Sequence, residues 1–438
     1  MRKAVIALLA GLVLPPAFAE QAELAAAIAR DYKSSLAPLF DHLHANPELS
    51  FMEVQTAARM AKELRAAGFD VTEGVGKTGI VAMLRNGAGP TVMVRADMDG
   101  LPVEEKSGAP NASKVKMKDL GGNLVPVMHA CGHDVHMTSL VGTAHQMAAR
   151  KDEWKGTLML IGQPAEERTG GAKAMMADGL YQRFGKPDYA LALHVVADIE
   201  AGKIVVDDAP YSGADALEIV VHGIGTHGAS PHMGKDPIVI GAQIVLALQT
   251  IVTRDIAPRE PALITVGSFH AGSKGNVIGD SARLELTVRA ESAQTRAKLL
   301  AAIERVARHT ARAAGVAEDR LPEVRLVDEP TPPTLNDQAT VRRLQSVWAS
   351  RLGEGIFDQG AERGGMGAED FPGFTEGQNI RSVYFKIGGT DGARLAALRA
   401  GKGTVAYNHS PMFRVEADKA IQTGVLATTV ALLDLMKR

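Results

Sequence analysis

The chain has 438 residues, of which 46% are hydrophobic and 22% charged. That length asks for two or three domains at roughly 150 residues each, and the mixture is that of an ordinary globular protein. Lys and Arg total 48 against 50 Asp and Glu, and aromatics make up only 4%, so neither a basic surface nor stacking side chains point to nucleic acid.

The N-terminus reads as an export leader. Arg2 and Lys3 precede an apolar run over residues 4–14, and Ala17-Phe18-Ala19 offers a small-x-small cleavage site. Residues 1–19 are therefore expected to be a signal peptide, leaving a periplasmic or secreted protein without membrane contact. An uncleaved anchor is the alternative, but the run is shorter than the about 20 residues that span a bilayer. The single cysteine, Cys131, cannot form an internal disulfide. In an oxidising compartment it is either buried and inert or employed.

Apolar spacing predicts helices over residues 22–43 and 53–67. Short apolar strands follow at 80–84, 91–95, 157–161 and 189–193, with helices at 134–149 and 170–179. This alternation predicts an α/β domain with a mainly parallel sheet. The pattern changes near residue 212. Strands at 216–222, 262–270, 282–290 and 322–327 alternate with helices at 238–253 and 292–314, the latter capped by Ser292. That β-α-β-β-α-β order predicts a four-stranded, ferredoxin-like α+β domain. A proline-rich linker, Asp328-Glu329-Pro330-Thr331-Pro332-Pro333, follows, and α/β character resumes with a strand at 382–387 and a helix at 416–437. We therefore expect a discontinuous catalytic domain, 20–212 and 328–438, with a lid or dimerisation domain inserted at 213–327. A string of three domains is the alternative.

Four chemistry-bearing segments follow expected strands. They are Ala96-Asp97-Met98-Asp99-Gly100, Gln163-Pro164-Ala165-Glu166-Glu167, His194, and Asn408-His409-Ser410-Pro411. Open α/β sheets bind ligands beyond the carboxyl ends of their strands. A fifth segment is His129-Ala130-Cys131-Gly132-His133-Asp134, where Gly132 permits a bend that turns Cys131 and His133 to one point. A thiolate with imidazoles favours zinc or another late transition metal over magnesium or calcium. Alone, Cys-x-His is weak, and a satisfied loop pair is the commoner reading.

Six strings in order carry a resemblance. They are Leu43-His44-Ala45-Asn46-Pro47-Glu48, Arg95-Ala96-Asp97-Met98-Asp99, Met128-His129-Ala130-Cys131-Gly132-His133-Asp134, Gln163-Pro164-Ala165-Glu166-Glu167, Met366-Gly367-Ala368-Glu369-Asp370-Phe371 and His409-Ser410-Pro411. Together they resemble the peptidase M20 family, in its amidohydrolase branch of hippurate and N-acyl-amino-acid hydrolases. The resemblance implies that Cys131, His133, Glu167, His194 and His409 bind two divalent transition-metal ions. Zinc is expected first, with manganese, cobalt or nickel as alternatives. It also implies that Glu166 is the general acid/base and that Asp97 orients a ligand histidine. The bland reading of Glu166 and Glu167 is a pair of solvated loop acids.

The resemblance further implies a homodimer in which His227 reaches the partner's active site and stabilises the oxyanion. Asn276 and Arg289 would hold a substrate carboxylate, although Arg289 also reads as a surface strand residue. His222 and His232 are weaker candidates, more often structural, and His129, His136 and Asp134 are read as either supporting the ligands or structural. The chain departs from the family at Thr226, where glycine is usual, at Gly279, where proline is common, and in a longer segment at 107–127. The expected activity is hydrolysis of N-acyl amino acids or short peptides bearing a free carboxylate. A metallo-carboxypeptidase or dipeptidase is the near alternative, and an exported metal- or peptide-binding protein the non-enzymatic one.

Overall fold

The computed structural model describes residues 16–327, 329–361 and 364–438. Most of the expected leader, residues 1–15, lies outside the described residues. A seven-stranded sheet forms the larger lobe. Its spatial order is Asp70–Val75, Gly79–Asn86, Gly156–Gln163, Thr91–Asp97, Tyr189–Glu200, Arg381–Thr390 and Ile204–Val205. The four strands Gly156–Gln163, Thr91–Asp97, Tyr189–Glu200 and Arg381–Thr390 run parallel, and antiparallel strands flank them on both sides.

Strand alternation sends neighbouring residues to opposite faces, and both faces are buried. Val92, Val94 and Ala96 join a core with Leu140, Val141, Val425 and Leu432 from the helices His133–Ala149 and Ala417–Leu435. Met93, Met159 and Tyr384 join a second core with Met175, Phe371 and Phe374.

The smaller lobe is an antiparallel sheet in the order Ala262–Ala271, Ser281–Ala290, Gly213–His222 and Glu323–Leu326. Its apolar face, including Ile219, Leu284 and Leu286, packs on Ile240, Ile244 and Leu248 of the helix Pro237–Thr250 and on Leu299 and Ile303 of Ala293–Ala313. Ser292 caps the second helix by accepting the Thr295 N–H at 3.1 Å. With its π-turn extension to Asp255, the first helix is long and apolar enough to cross a membrane by length and composition. Its inner stripe packs on the sheet instead.

The two crossings between lobes run side by side. Ala214 and Thr331 exchange both backbone hydrogen bonds, at 2.8 and 2.9 Å. The segment at 107–127 contains a short hairpin, Lys116–Lys118 with Leu124–Pro126, that its polar sequence did not announce.

Candidate metal centre and active-site cavity

A cavity of about 800 Å³ lies between the carboxyl ends of the parallel strands and the small sheet. Cys131, Glu166, Glu167, His194 and His409 line one side, and Thr287 and Arg289 the other.

Each donor is placed by a local device. Gly132 adopts φ 86°, and a Cβ there would meet Val195 Cγ1 at 2.3 Å, so only glycine makes this bend. The bend starts the helix His133–Ala149 and buries His133 completely. His133 Nδ1 donates to the Asp99 carbonyl at 2.8 Å. That bond fixes the tautomer and leaves Nε2, which has no hydrogen-bond partner, with a free lone pair. His194 is set the same way: its Nδ1 donates to the Val195 carbonyl at 2.8 Å, and its Nε2 lies 3.4 Å from Cys131 Sγ. His409, at φ 71°, places Nε2 3.2 Å from Cys131 Sγ and 3.4 Å from Glu167 Oε1. Asn408 secures that loop by donating to the carbonyls of Cys131 and Val195 at 3.1 and 3.0 Å. His133 Nε2 lies 3.8 Å from Glu166 Oε2 and 3.9 Å from Glu167 Oε1.

These spacings fit cations. A four-coordinate ion with bonds of about 2.0–2.3 Å holds its ligand atoms roughly 3.3–3.8 Å apart. His133 Nε2 and Glu167 Oε1 are both buried without a hydrogen bond among the described residues, which is costly without a ligand. Three overlapping donor groups share these atoms: Cys131 with His133 and His194, Cys131 with Glu167 and His409, and His133 with Glu166 and Glu167.

The electrostatics also call for positive charge. Burial and the charges of Glu167 and Glu166 push the Cys131 thiol well above its ordinary range. Burial, with neighbouring His136, drops His194 well below its own. Burial alone would lower His133, but Asp97 and Asp99 more than reverse this and raise it to about 10. Burial first, then the charges of Glu369 and Glu167, raises Glu166 well above the usual carboxylate range.

The histidine that hydrogen-bonds Asp97 is His136, not one of the five proposed ligands. The Asp97 oxygens accept from His136 Nδ1 at 2.5 Å and Arg95 Nη1 at 2.7 Å. The Asp99 carbonyl orients His133. Asp97 Oδ2 also lies 3.6 Å from His133 Nε2, and it reaches His194 through His136, whose Nε2 accepts the Val195 N–H at 2.9 Å while the Val195 carbonyl holds His194. His136 is thus more than a spare core histidine.

One chain does not bring His227 and Asn276 to the cavity. Thr226–His227 pairs with Val277–Ile278, and Gly228 donates to the Asn276 carbonyl at 2.8 Å. Both residues line a separate groove on the small lobe. Arg289 does face the cavity, half-buried, with no hydrogen bond or ion pair among the described residues. Its neighbour Asp215 is taken by Arg296 in a bidentate pair at 2.6 and 2.8 Å. His222 makes a surface contact with Glu323 at 3.2 Å, and His232 is exposed. Buried His129 has no hydrogen-bond partner on either ring nitrogen, and Asp134 pairs with His44 at 2.6 Å.

Sequence reasoning assigned no role to Arg95. This fully buried guanidinium bonds Asp97, Glu369 and Gln163 at 2.7 Å each, and Asp370 at 3.3 Å. It locks the strand Thr91–Asp97 to the loop that carries Glu369 and Asp370 behind Glu166. The Met366–Phe371 string was the available signal, although a string does not say that its acids point inward.

Comparisons with known proteins agree with this geometry. Residues 93–429 match the description "Peptidase family M20/M25/M40". The chain is 35% identical over 390 residues to thermostable carboxypeptidase 2 of Saccharolobus solfataricus, covering 88% of this chain and 91% of that protein. It is 35% identical over 349 residues to the hippurate hydrolase of Campylobacter jejuni, covering 79% and 86%. The crystal structure of the Bacillus subtilis YXEP protein, a dinuclear metal-binding peptidase of the M20 family, superposes with a TM-score of 0.75. Identity is 28%, covering 93% of this chain and 99% of that one. This chain therefore belongs to peptidase family M20/M25/M40 and is a metal-dependent hydrolase of amide bonds.

Proposed function

We propose that the protein hydrolyses the amide bond of N-acyl amino acids or short peptides carrying a free carboxylate. The observation that carries this reading is the meeting of Cys131, His133, Glu167, His194 and His409 beside buried Glu166, in a cavity that also presents unpaired Arg289. The five donors would hold two divalent transition-metal ions. Sulfur and nitrogen donors favour zinc, with manganese, cobalt and nickel as alternatives. Bound there, such ions polarise the scissile carbonyl and lower the pKa of the attacking water.

Glu166 takes the proton from that water and delivers it to the leaving nitrogen. Burial and the neighbouring acids Glu369 and Glu167 raise its pKa above the usual carboxylate range, which favours uptake of that proton. Arg289 grips the substrate carboxylate in a charge-assisted bond.

His227 and Asn276 complete the site from a second copy of the chain. Support for a homodimer comes from the small lobe. Its sheet ends on the edge strand Ala262–Ala271, with Leu263 and Phe269 exposed, and the adjoining helix exposes Val239 and Leu246. An apolar open edge of this kind invites pairing. In this reading residues 213–327 act as lid and dimerisation unit, and 20–212 with 328–438 as the catalytic unit. Residues 1–19 direct export.

The relatives named a hippurate hydrolase and a carboxypeptidase favour the acyl-amino-acid and peptide readings respectively. A panel of hippurate-like compounds and dipeptides, assayed with and without chelator, separates them. Turnover of acylated amino acids, abolished by chelator, is expected. Turnover confined to peptides would move the assignment to a carboxypeptidase or dipeptidase, and no turnover of either would refute it.

A further inference from the structure

Two carboxylates outside the proposed ligand set grip the backbone that carries Glu166 and Glu167. The Ala165 N–H donates to Glu53 Oε1 at 2.8 Å. The N–H groups of Glu166 and Glu167 donate to the two oxygens of Asp99, each at 3.1 Å. Three consecutive amides thus converge on two carboxyl groups, in the concave arrangement that backbone uses to bind anions.

This arrangement holds Ala165 at φ 49°, ψ 43°, a left-handed conformation that a residue with a Cβ ordinarily avoids. The same Glu53 oxygen accepts the Phe51 N–H at 2.9 Å, and Phe51 is also left-handed, at φ 62°. One oxygen therefore fastens two strained turns. Glu53 is 0% exposed, and its other oxygen accepts the Thr78 hydroxyl. It occupies the N-cap of the helix Val54–Ala66 yet makes no capping bond, because its side chain is spent on Ala165. Asp99 is steadied by the Ser50 hydroxyl at 2.6 Å, while its own carbonyl sets His133.

Left-handed non-glycine residues persist only where their surroundings over-determine them. Around Ala165 the two carboxyl groups hold the N–H groups of residues 165–167, the Gly170 and Gly171 amides hold its carbonyl, and the next residue is the proposed acid/base. We propose that Glu53 and Asp99 are positioning residues for amide hydrolysis, clamping the turn at Ala165 so that Glu166 and Glu167 keep their separate aims. The proposal deepens the hydrolase reading and rests on its assignment of Glu166.

The test uses the full chain loaded with cobalt(II), comparing wild type, Glu53→Gln and Glu53→Ala. The glutamine oxygen still accepts the Phe51 and Ala165 amides, and its NH2 donates to Thr78. Glu53→Gln is therefore expected to keep the wild-type visible spectrum and kcat within about threefold. Glu53→Ala is expected to bind as much cobalt, to change the visible bands, and to lose roughly 30-fold or more in kcat, with KM within about threefold. Wild-type spectrum and kcat in Glu53→Ala would overturn the proposal, as would a Glu53→Gln variant as damaged as Glu53→Ala. Should Glu53→Ala fail to fold, Thr78→Val loosens the same carboxylate, and a kcat loss of about threefold to tenfold is expected. No loss in that variant would overturn the proposal. A wild type that binds cobalt but cleaves no amide would sink the hydrolase reading, while the spectral difference between the two Glu53 variants still tests the clamp.

Discussion

His409 Nε2 lies 3.2 Å from Cys131 Sγ across 278 residues of sequence. The contact joins the loop before the helix His133–Ala149 to the loop after the helix Gly392–Arg399. Burial and nearby carboxylates disfavour the free Cys131 thiolate, so the sulfur needs a cation to ionise. Cys131→Ala is expected to weaken metal binding by roughly 100-fold or more and to abolish turnover. Metal analysis after dialysis checks this. Unchanged metal content would remove the thiolate from the site.

Glu166 sits among the donors, and its pKa is raised by burial and by neighbouring acids. Glu166→Gln is expected to keep its metal and lose about 10³-fold or more in kcat. Mixing this variant with His227→Ala tests the shared site. Hybrid dimers with one intact site should regain activity that neither parent shows. Absence of recovery, with subunit exchange verified, would confine catalysis to one chain.

Arg289 faces the cavity with no ion pair among the described residues, since Arg296 occupies Asp215. A charge-assisted bond to a substrate carboxylate is worth about 1.5–3 kcal/mol. Arg289→Ala should therefore raise KM by roughly 10- to 100-fold for carboxylate substrates and leave their amidated analogues unaffected. Equal effects on both classes would deny the contact.

These residues differed in how readily sequence disclosed them. Glu167 was legible after an apolar strand and Cys131 and His133 about the glycine bend, while the full donor set came from the resemblance of the six strings. The strand Tyr189–Glu200 runs beyond the expected 189–193 because Asp198 and Glu200 interrupt the apolar pattern while backbone pairing continues. The edge strand Asp70–Val75 is polar, so periodicity hid it. Glu53 and Asp99 escaped notice because they bind backbone amides far away in sequence, a contact with no signature in residue type. Which histidine Asp97 would hold was not legible for a similar reason: two acids and two histidines stand within reach, and only the backbone path decides which pairs form.

His44 links the helix Ala37–Ala45 to Asp134 of the helix His133–Ala149 at 2.6 Å and to Glu105, ahead of Cys131, at 3.1 Å. Burial would lower its pKa, but the hydrogen bonds and charges of Asp134 and Glu105 raise it from 6.5 to about 10. The raised folded-state value means that its stabilisation is complete below pH 6.5 and fades as pH climbs towards about 10. His44→Leu leaves two buried carboxylates unpaired and should cost about 3 kcal/mol near neutral pH. Denaturant melts across this range should show the gap between wild type and variant closing as pH rises. A constant gap would mean that His44 is uncharged.

Metal titration of the chelator-stripped protein, read as turnover of an acylated amino acid against equivalents added, tests the central claim most directly. The account predicts no activity without metal and a rise that saturates near two ions per chain. Full turnover by the stripped protein, or saturation without any bound metal, would contradict it.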